Sequence, residues 1–161
     1  MTITIGRVDF SVPEQADVLV GLLDAYALDP MGGGAGLAPE VKACLAERLA
    51  DVPGAIGLVA WLDGVPAGMA TAFTGFSTFA ARPLLSIHDL AVLAPFRRQG
   101  VGQVLLQELA QIAAERGCCK LTLEVLSNNQ VAQGAYRKSG FAPYALDPEA
   151  GTAQFWQKWL P

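Results

Sequence analysis

Apolar and polar residues alternate along "TITIGRVDF" near the N-terminus, the period of a strand with one buried face. From Pro13 to Ala27 the period lengthens. Ala16, Val18, Leu19, Leu22, Leu23 and Tyr26 recur at helical spacing, which predicts an amphipathic helix. "LDPMGGGAGLAP", with three successive glycines, reads as a flexible loop. Glu40–Leu49 repeats the helical pattern and is ended by "DVPG". "AIGLVAWL" and "VPAGMATAFTGF" flank Asp63-Gly64, the chemistry of a type I′ hairpin. "PLLSIHDLAVL" is a further strand, its apolar run interrupted at His88 and Asp89. Gly100–Arg116 is a helix with Val101, Val104, Leu105, Leu109 and Ile112 on its apolar face and Gly117 as its C-cap. "KLTLEVL" is a strand, "NNQVAQGAYRKS" a helix closed by Gly140, and "FAPYAL" and "TAQFWQKWL" are expected as final strands. The order β-α-α-β-β-β-α-β-α-β-β predicts a mixed α/β fold with helices on both faces of a central sheet. Neither a linker nor a repeat interrupts it, so residues 1–161 are expected to form a single domain.

Composition narrows the class. Of 161 residues, 52% are hydrophobic and 16% charged, as in a soluble globular protein. Mean hydropathy is +0.35, yet no apolar run approaches the roughly 18 residues of a spanning helix. The N-terminus lacks the basic start and apolar middle of a secretion signal, so the expected setting is cytoplasmic. Cys44, Cys118 and Cys119 agree: two are adjacent, an odd number leaves one unpaired, and no Cys/His spacing suggests a metal site. They read as small buried hydrophobes. A net charge of −4 argues against a nucleic-acid partner and is compatible with a cationic substrate.

Chemistry concentrates in "HDLAVLAPFRRQGVG", His88 to Gly102. A strand runs into a charged turn, and a helix begins at once. The start of a helix leaves backbone N–H groups unpaired, and its dipole favours anions. Gly100 and Gly102 carry no side chains to keep a diphosphate away from those amides, and Arg97 and Arg98 add charge. A Walker A loop is absent, and Leu105 stands where a dinucleotide fingerprint needs its third glycine. Taken alone, the turn also suits a glycine-rich helix start with solvated arginines.

Arg97-x-x-Gly100-x-Gly102, followed by Asn129, Ala132, Tyr136, Lys138, Gly140 and Phe141 at their spacing, resembles the GNAT superfamily of N-acetyltransferases. The resemblance implies a mostly antiparallel sheet of about seven strands, splayed between the fourth and fifth, with about four helices on its two faces. It implies acetyl-CoA as cofactor and a small amine as acceptor, in a homodimer. Main-chain amides of Arg98, Gln99, Gly100, Val101, Gly102 and Gln103 would hold the pyrophosphate. Leu90, Ala91 and Val92 would line the pantetheine arm, and Asn129, Ala132, Tyr136 and Lys138 would complete the cofactor contacts. "FSTF" with "LLSIHDLAV" is similar to the polyamine and diamine branch, which carries Glu-Asp where this chain has His88-Asp89.

An alkylammonium must lose a proton before it can attack a thioester. His88, the chain's single histidine, is the first candidate for the base, with Glu124 behind it. Strand alternation sends Asp89 to the opposite face unless a bulge intervenes, so Asp89 either attracts a cation or anchors neighbouring backbone. Asn129, Ala132 and Tyr136 share a helical face, and by resemblance the Tyr136 phenol protonates the departing thiolate. A CoA-binding module without transfer, and a peptide N-acetyltransferase, stay open as other readings.

Overall fold

Asp63 and Gly64 both take positive φ, 48° and 81°, as a type I′ turn requires. They join β2 (Ile56–Leu62) to β3 (Val65–Ser77) in an antiparallel hairpin. β1 (Ile3–Arg7) pairs antiparallel with β2, and β4 (Arg82–Val92) antiparallel with β3. β5 (Leu121–Leu123) pairs parallel with β4, giving the order β1-β2-β3-β4-β5. This computed structural model describes residues 1–161, the side chain of residue 148 apart. They pack as two compact units, Met1–Leu123 and Glu124–Pro161.

In the first unit, α1 (Pro13–Leu28) and α2 (Pro39–Ala50) each begin with proline, which fits a helix start because that N–H has no partner there. Leu19 and Leu22 of α1 and Leu49 of α2 pack with Val59, Met69 and Ala91 on one face of the sheet. α3 (Val101–Glu115) covers the other, with Val101 reaching Gly68 of β3. Its buried face includes Leu106, whereas Val104, expected inside, is only half-buried. A Cβ on Gly68 would lie 2.7 Å from the Ala91 carbonyl oxygen and 3.2 Å from Val101 Cγ1. Gly68→Ala is therefore expected to lose about 1–3 kcal/mol, read as a lower denaturation midpoint. An unchanged midpoint would mean that α3 can retreat from the sheet.

The second unit holds α4 (Gln130–Lys138) and a 3₁₀ turn, Pro148–Ala150. Here the expected strand count is corrected. "FAPYAL" and "TAQFWQKWL" form no strand, only an isolated bridge between Ala145 and Thr152. Alternation makes a segment competent for a sheet but supplies no neighbour for its amides, and Pro143 removes one donor. Phe155, Trp156 and Trp159 stay 71–86% exposed. "KLTLEVL" shrinks to β5 because only Leu121–Leu123 find register against Leu85–Ile87. Five strands thus form among the described residues, with the mostly antiparallel order and four α-helices expected. No described helix is long and apolar enough to cross a membrane.

Candidate active site

The fourth strand carries an irregularity where the chemistry was expected. Ile87 pairs with Ala72, but Asp89 pairs with Thr71, so His88 is an extra residue with no partner in the ladder. This is a bulge, and it cancels the alternation that would separate two consecutive side chains. His88 Nδ1 lies 3.4 Å from Asp89 Oδ2. The same Asp89 oxygen accepts a 2.5 Å bond from the Thr71 hydroxyl. The His88 ring stands edge-on to Phe73, with centroids 5.7 Å apart, and its side chain is 71% exposed. Asp89, at 23%, is largely shielded. The geometry is an exposed imidazole backed by an anchored carboxylate.

β5 accompanies β4 only as far as Ile87. His88–Val92 run on with β3 alone, which is the splay the resemblance implies between the fourth and fifth strands. Leu90 and Val92 are half-buried and Ala91 is buried. The chain then turns through Arg98 (φ 62°) and Gly100 (φ 90°) into α3. No side chain caps that helix. The first carbonyl bond is Gly100 O to the Val104 amide, 3.1 Å. Two left-handed residues, Arg98 and Gly100, with Gln99 between them, lead into an uncapped helix start whose main-chain donors suit an anion. Gln99 folds back onto the Pro95 carbonyl (2.9 Å), and Val101 sends its side chain into the core.

Arg97 makes two side-chain contacts within the chain. Its Nε donates to the Val92 carbonyl at 3.0 Å, and its Nη2 to Asp29 Oδ2 at 2.7 Å. Asp29 opens a 3₁₀ turn, Pro30–Gly32, and caps it by accepting from the Met31 amide. The Arg97 bond, and then the Met31 amide, hold the Asp29 carboxyl below the usual carboxylate range. A lowered carboxyl favours the native state at neutral pH, and the gain is lost as pH falls through the lowered value, so the contact persists through physiological pH. Tyr26, one turn before Asp29, donates weakly to the Met31 carbonyl (3.4 Å). Burial, with Asp89 and Asp29 nearby, pushes its phenol above the ordinary tyrosine range, so it stays a neutral donor.

Tyr26, Asp29, Thr71 and Phe73 were not found by sequence reasoning. Only Asp29 carried a local signal, as an Asp-Pro turn start inside the glycine-rich loop. Two surface hollows, about 460 and 280 Å³, are lined by Arg7, Val8, Phe10 and Trp61 among others and contain none of the candidate residues.

In the second unit, Asn129 caps α4, its Oδ1 accepting from the Ala132 amide at 3.1 Å. Asn129, Ala132 and Tyr136 are half-buried on one helical stretch, and Lys138 is exposed. Gly140 (φ 86°) reverses the chain so that the Phe141 amide donates to the Tyr136 carbonyl (3.0 Å) and the two rings meet 6.0 Å apart.

A strand that parts from its neighbour and feeds an uncapped glycine-rich helix start is the architecture of an acyltransferase of the kind the motifs suggested. The family model described as "Acetyltransferase (GNAT) family" matches residues 15–141, and the chain belongs to that family. It is 41% identical over 85 residues to streptothricin acetyltransferase of Streptomyces lavendulae, covering 53% of this chain and 43% of that protein. It is 32% identical over 80 residues to thialysine N-epsilon-acetyltransferase of Caenorhabditis elegans, covering 50% of this chain and 49% of that one. The chain thus spans about half the length of the curated relatives it matches. An aminoglycoside N-acetyltransferase, AAC(6′)-Iy, solved in complex with CoA, superposes with a TM-score of 0.74 at 19% identity, over 98% of this chain and 95% of that one. At that identity the likeness is one of fold.

Proposed function

We propose that this chain, as one catalytic domain over residues 1–161, transfers an acetyl group from acetyl-CoA to a primary amine of a small cationic molecule. The observation that carries this reading is where β4 loses β5. Pairing ends at Ile87, and the main chain of His88–Val92 leads straight to the uncapped start of α3. An extended thioester needs that combination of a one-sided strand edge and an anion seat. The amides of Arg98, Gln99, Gly100, Val101, Gly102 and Gln103 hold the diphosphate, and Leu90, Ala91 and Val92 flank the pantetheine arm. Asn129, Ala132 and Lys138, in the second unit, are further cofactor contacts by the motif they match.

Acetyl-CoA supplies an activated acyl carbon on a sulfur leaving group. With the thioester bound, His88 would remove one proton from the acceptor's ammonium, the freed amine nitrogen would bond to the acyl carbon as the carbon–sulfur bond breaks, and the second nitrogen proton would pass to solvent as the amide forms. Asp89, 3.4 Å from Nδ1, holds the imidazole in place, in the manner of an orienting carboxylate. Tyr136 returns a proton to the leaving sulfur. Transfer is direct, within one ternary complex. Asp29 and Asp89, both close enough to influence Tyr26, favour an acceptor that carries positive charge. A cytoplasmic homodimer completes the reading, supported by the unpaired cysteines and the exposed Phe155, Trp156 and Trp159.

The test is calorimetric titration with acetyl-CoA, then thiol release across amines, polyamines and peptides. Binding tighter than about 1 mM and turnover with small cationic amines are expected. His88→Ala should lower kcat/KM about 100-fold at neutral pH and abolish the acid limb of the pH profile. Full activity in that variant would assign the base elsewhere. Binding without transfer to any amine would make the chain a CoA-binding module.

A further inference from the structure

We propose that Arg97 and Asp29 form a positioning pair, which fixes the α1–α2 loop against the end of β4 and thereby shapes the acceptor side of the site. The proposal rests on the acetyltransfer reading for its effect on catalysis, though not for its effect on the loop.

The loop from Asp29 to Ala38 contains Gly32, Gly33, Gly34 and Gly36, a composition with no preferred conformation of its own. It nevertheless folds around one residue. The Asp29 main-chain carbonyl accepts from the amides of Gly32 (2.8 Å) and Gly34 (3.1 Å). Its Oδ1 accepts from Met31 (2.9 Å), and its own amide donates to Tyr26 (2.9 Å). The loop returns so closely on α1 that a side chain at Gly32 would collide with the Tyr26 carbonyl. Every one of these bonds is local, so they give the loop a shape without tying it to the sheet.

The tie is Arg97, distant by 68 positions. One planar guanidinium reaches the other Asp29 oxygen through Nη2 and the last carbonyl of β4 through Nε. The Asp29 side chain is 22% exposed, so this is a partly shielded, charge-assisted contact with two fixed directions, unlike a loose surface ion pair. Tyr26 lies within electrostatic reach of both Asp29 and Asp89 and bonds the Met31 carbonyl of the same loop. Anchoring donor strand and loop with one side chain sets the width between them. Binding of the diphosphate is left to main-chain amides.

Arg97→Gln and Asp29→Asn test this without relying on turnover alone. In both variants the amides of Met31, Gly32 and Gly34 should exchange with solvent about tenfold faster, while those of α3 keep their protection. The amine KM should rise about tenfold with kcat changed less than about twofold, and acetyl-CoA affinity should stay within about twofold. The double variant should be no worse than either single one, as expected when both remove the same contact. Unchanged loop exchange in both variants would overturn the pair. So would a tenfold loss of acetyl-CoA affinity in Arg97→Gln alone, which would make Arg97 a phosphate ligand. If the wild-type chain acetylates nothing, the acetyltransfer reading fails, while the exchange measurement still decides the anchoring.

Discussion

Tyr136→Phe is expected to slow turnover about 100-fold while leaving acetyl-CoA affinity within about twofold. Removing one phenolic oxygen deletes the proposed proton donor and keeps the ring. The ring keeps its tilted contact with Phe141, and the backbone bond between the Phe141 amide and the Tyr136 carbonyl does not involve the side chain. A thiolate expelled without a proton is a poorer leaving group, so the loss should fall on kcat. Single-turnover kinetics with saturating acetyl-CoA would isolate that step. Unchanged turnover would remove Tyr136 from the chemistry.

Gly102→Asp should weaken acetyl-CoA binding by about 100-fold or more, with stability unchanged or slightly raised. The two effects have opposite signs for one reason. A carboxylate at the second residue of α3 meets the positive end of the helix dipole and stabilises the fold by about 0.5 kcal/mol. Beside a diphosphate held at this helix start, the same charge would oppose binding by roughly 3 kcal/mol. Space is not the cause, since a Cβ there meets only Val92 Cγ2 at an ordinary 3.6 Å. Calorimetry and thermal denaturation on one sample separate the terms. Undiminished affinity would move the diphosphate away from α3.

Much of this arrangement is legible in the chain, and the parts that are not share a physical origin. The helices, the Asp63-Gly64 hairpin and the glycine turn before α3 depend on local periodicity and on residues that tolerate particular dihedrals. Those signals sit within a few positions of one another. The bulge at His88 is a property of pairing between β3 and β4, and no pattern within "LLSIHDLAV" announces it. The contact between Arg97 and Asp29 joins segments whose proximity exists only once the sheet has formed. "TAQFWQKWL" shows the converse failure: its pattern is adequate for a strand, but pattern alone does not provide an edge to join.

The bulge has one more effect. A residue with no partner in the ladder can be exchanged without shifting the register of the sheet, so position 88, whose ring meets the edge of Phe73 across the strands, tolerates replacement at low risk to folding. Leu85, Ile87 and Ala91, held in the interior on either side, have no such latitude.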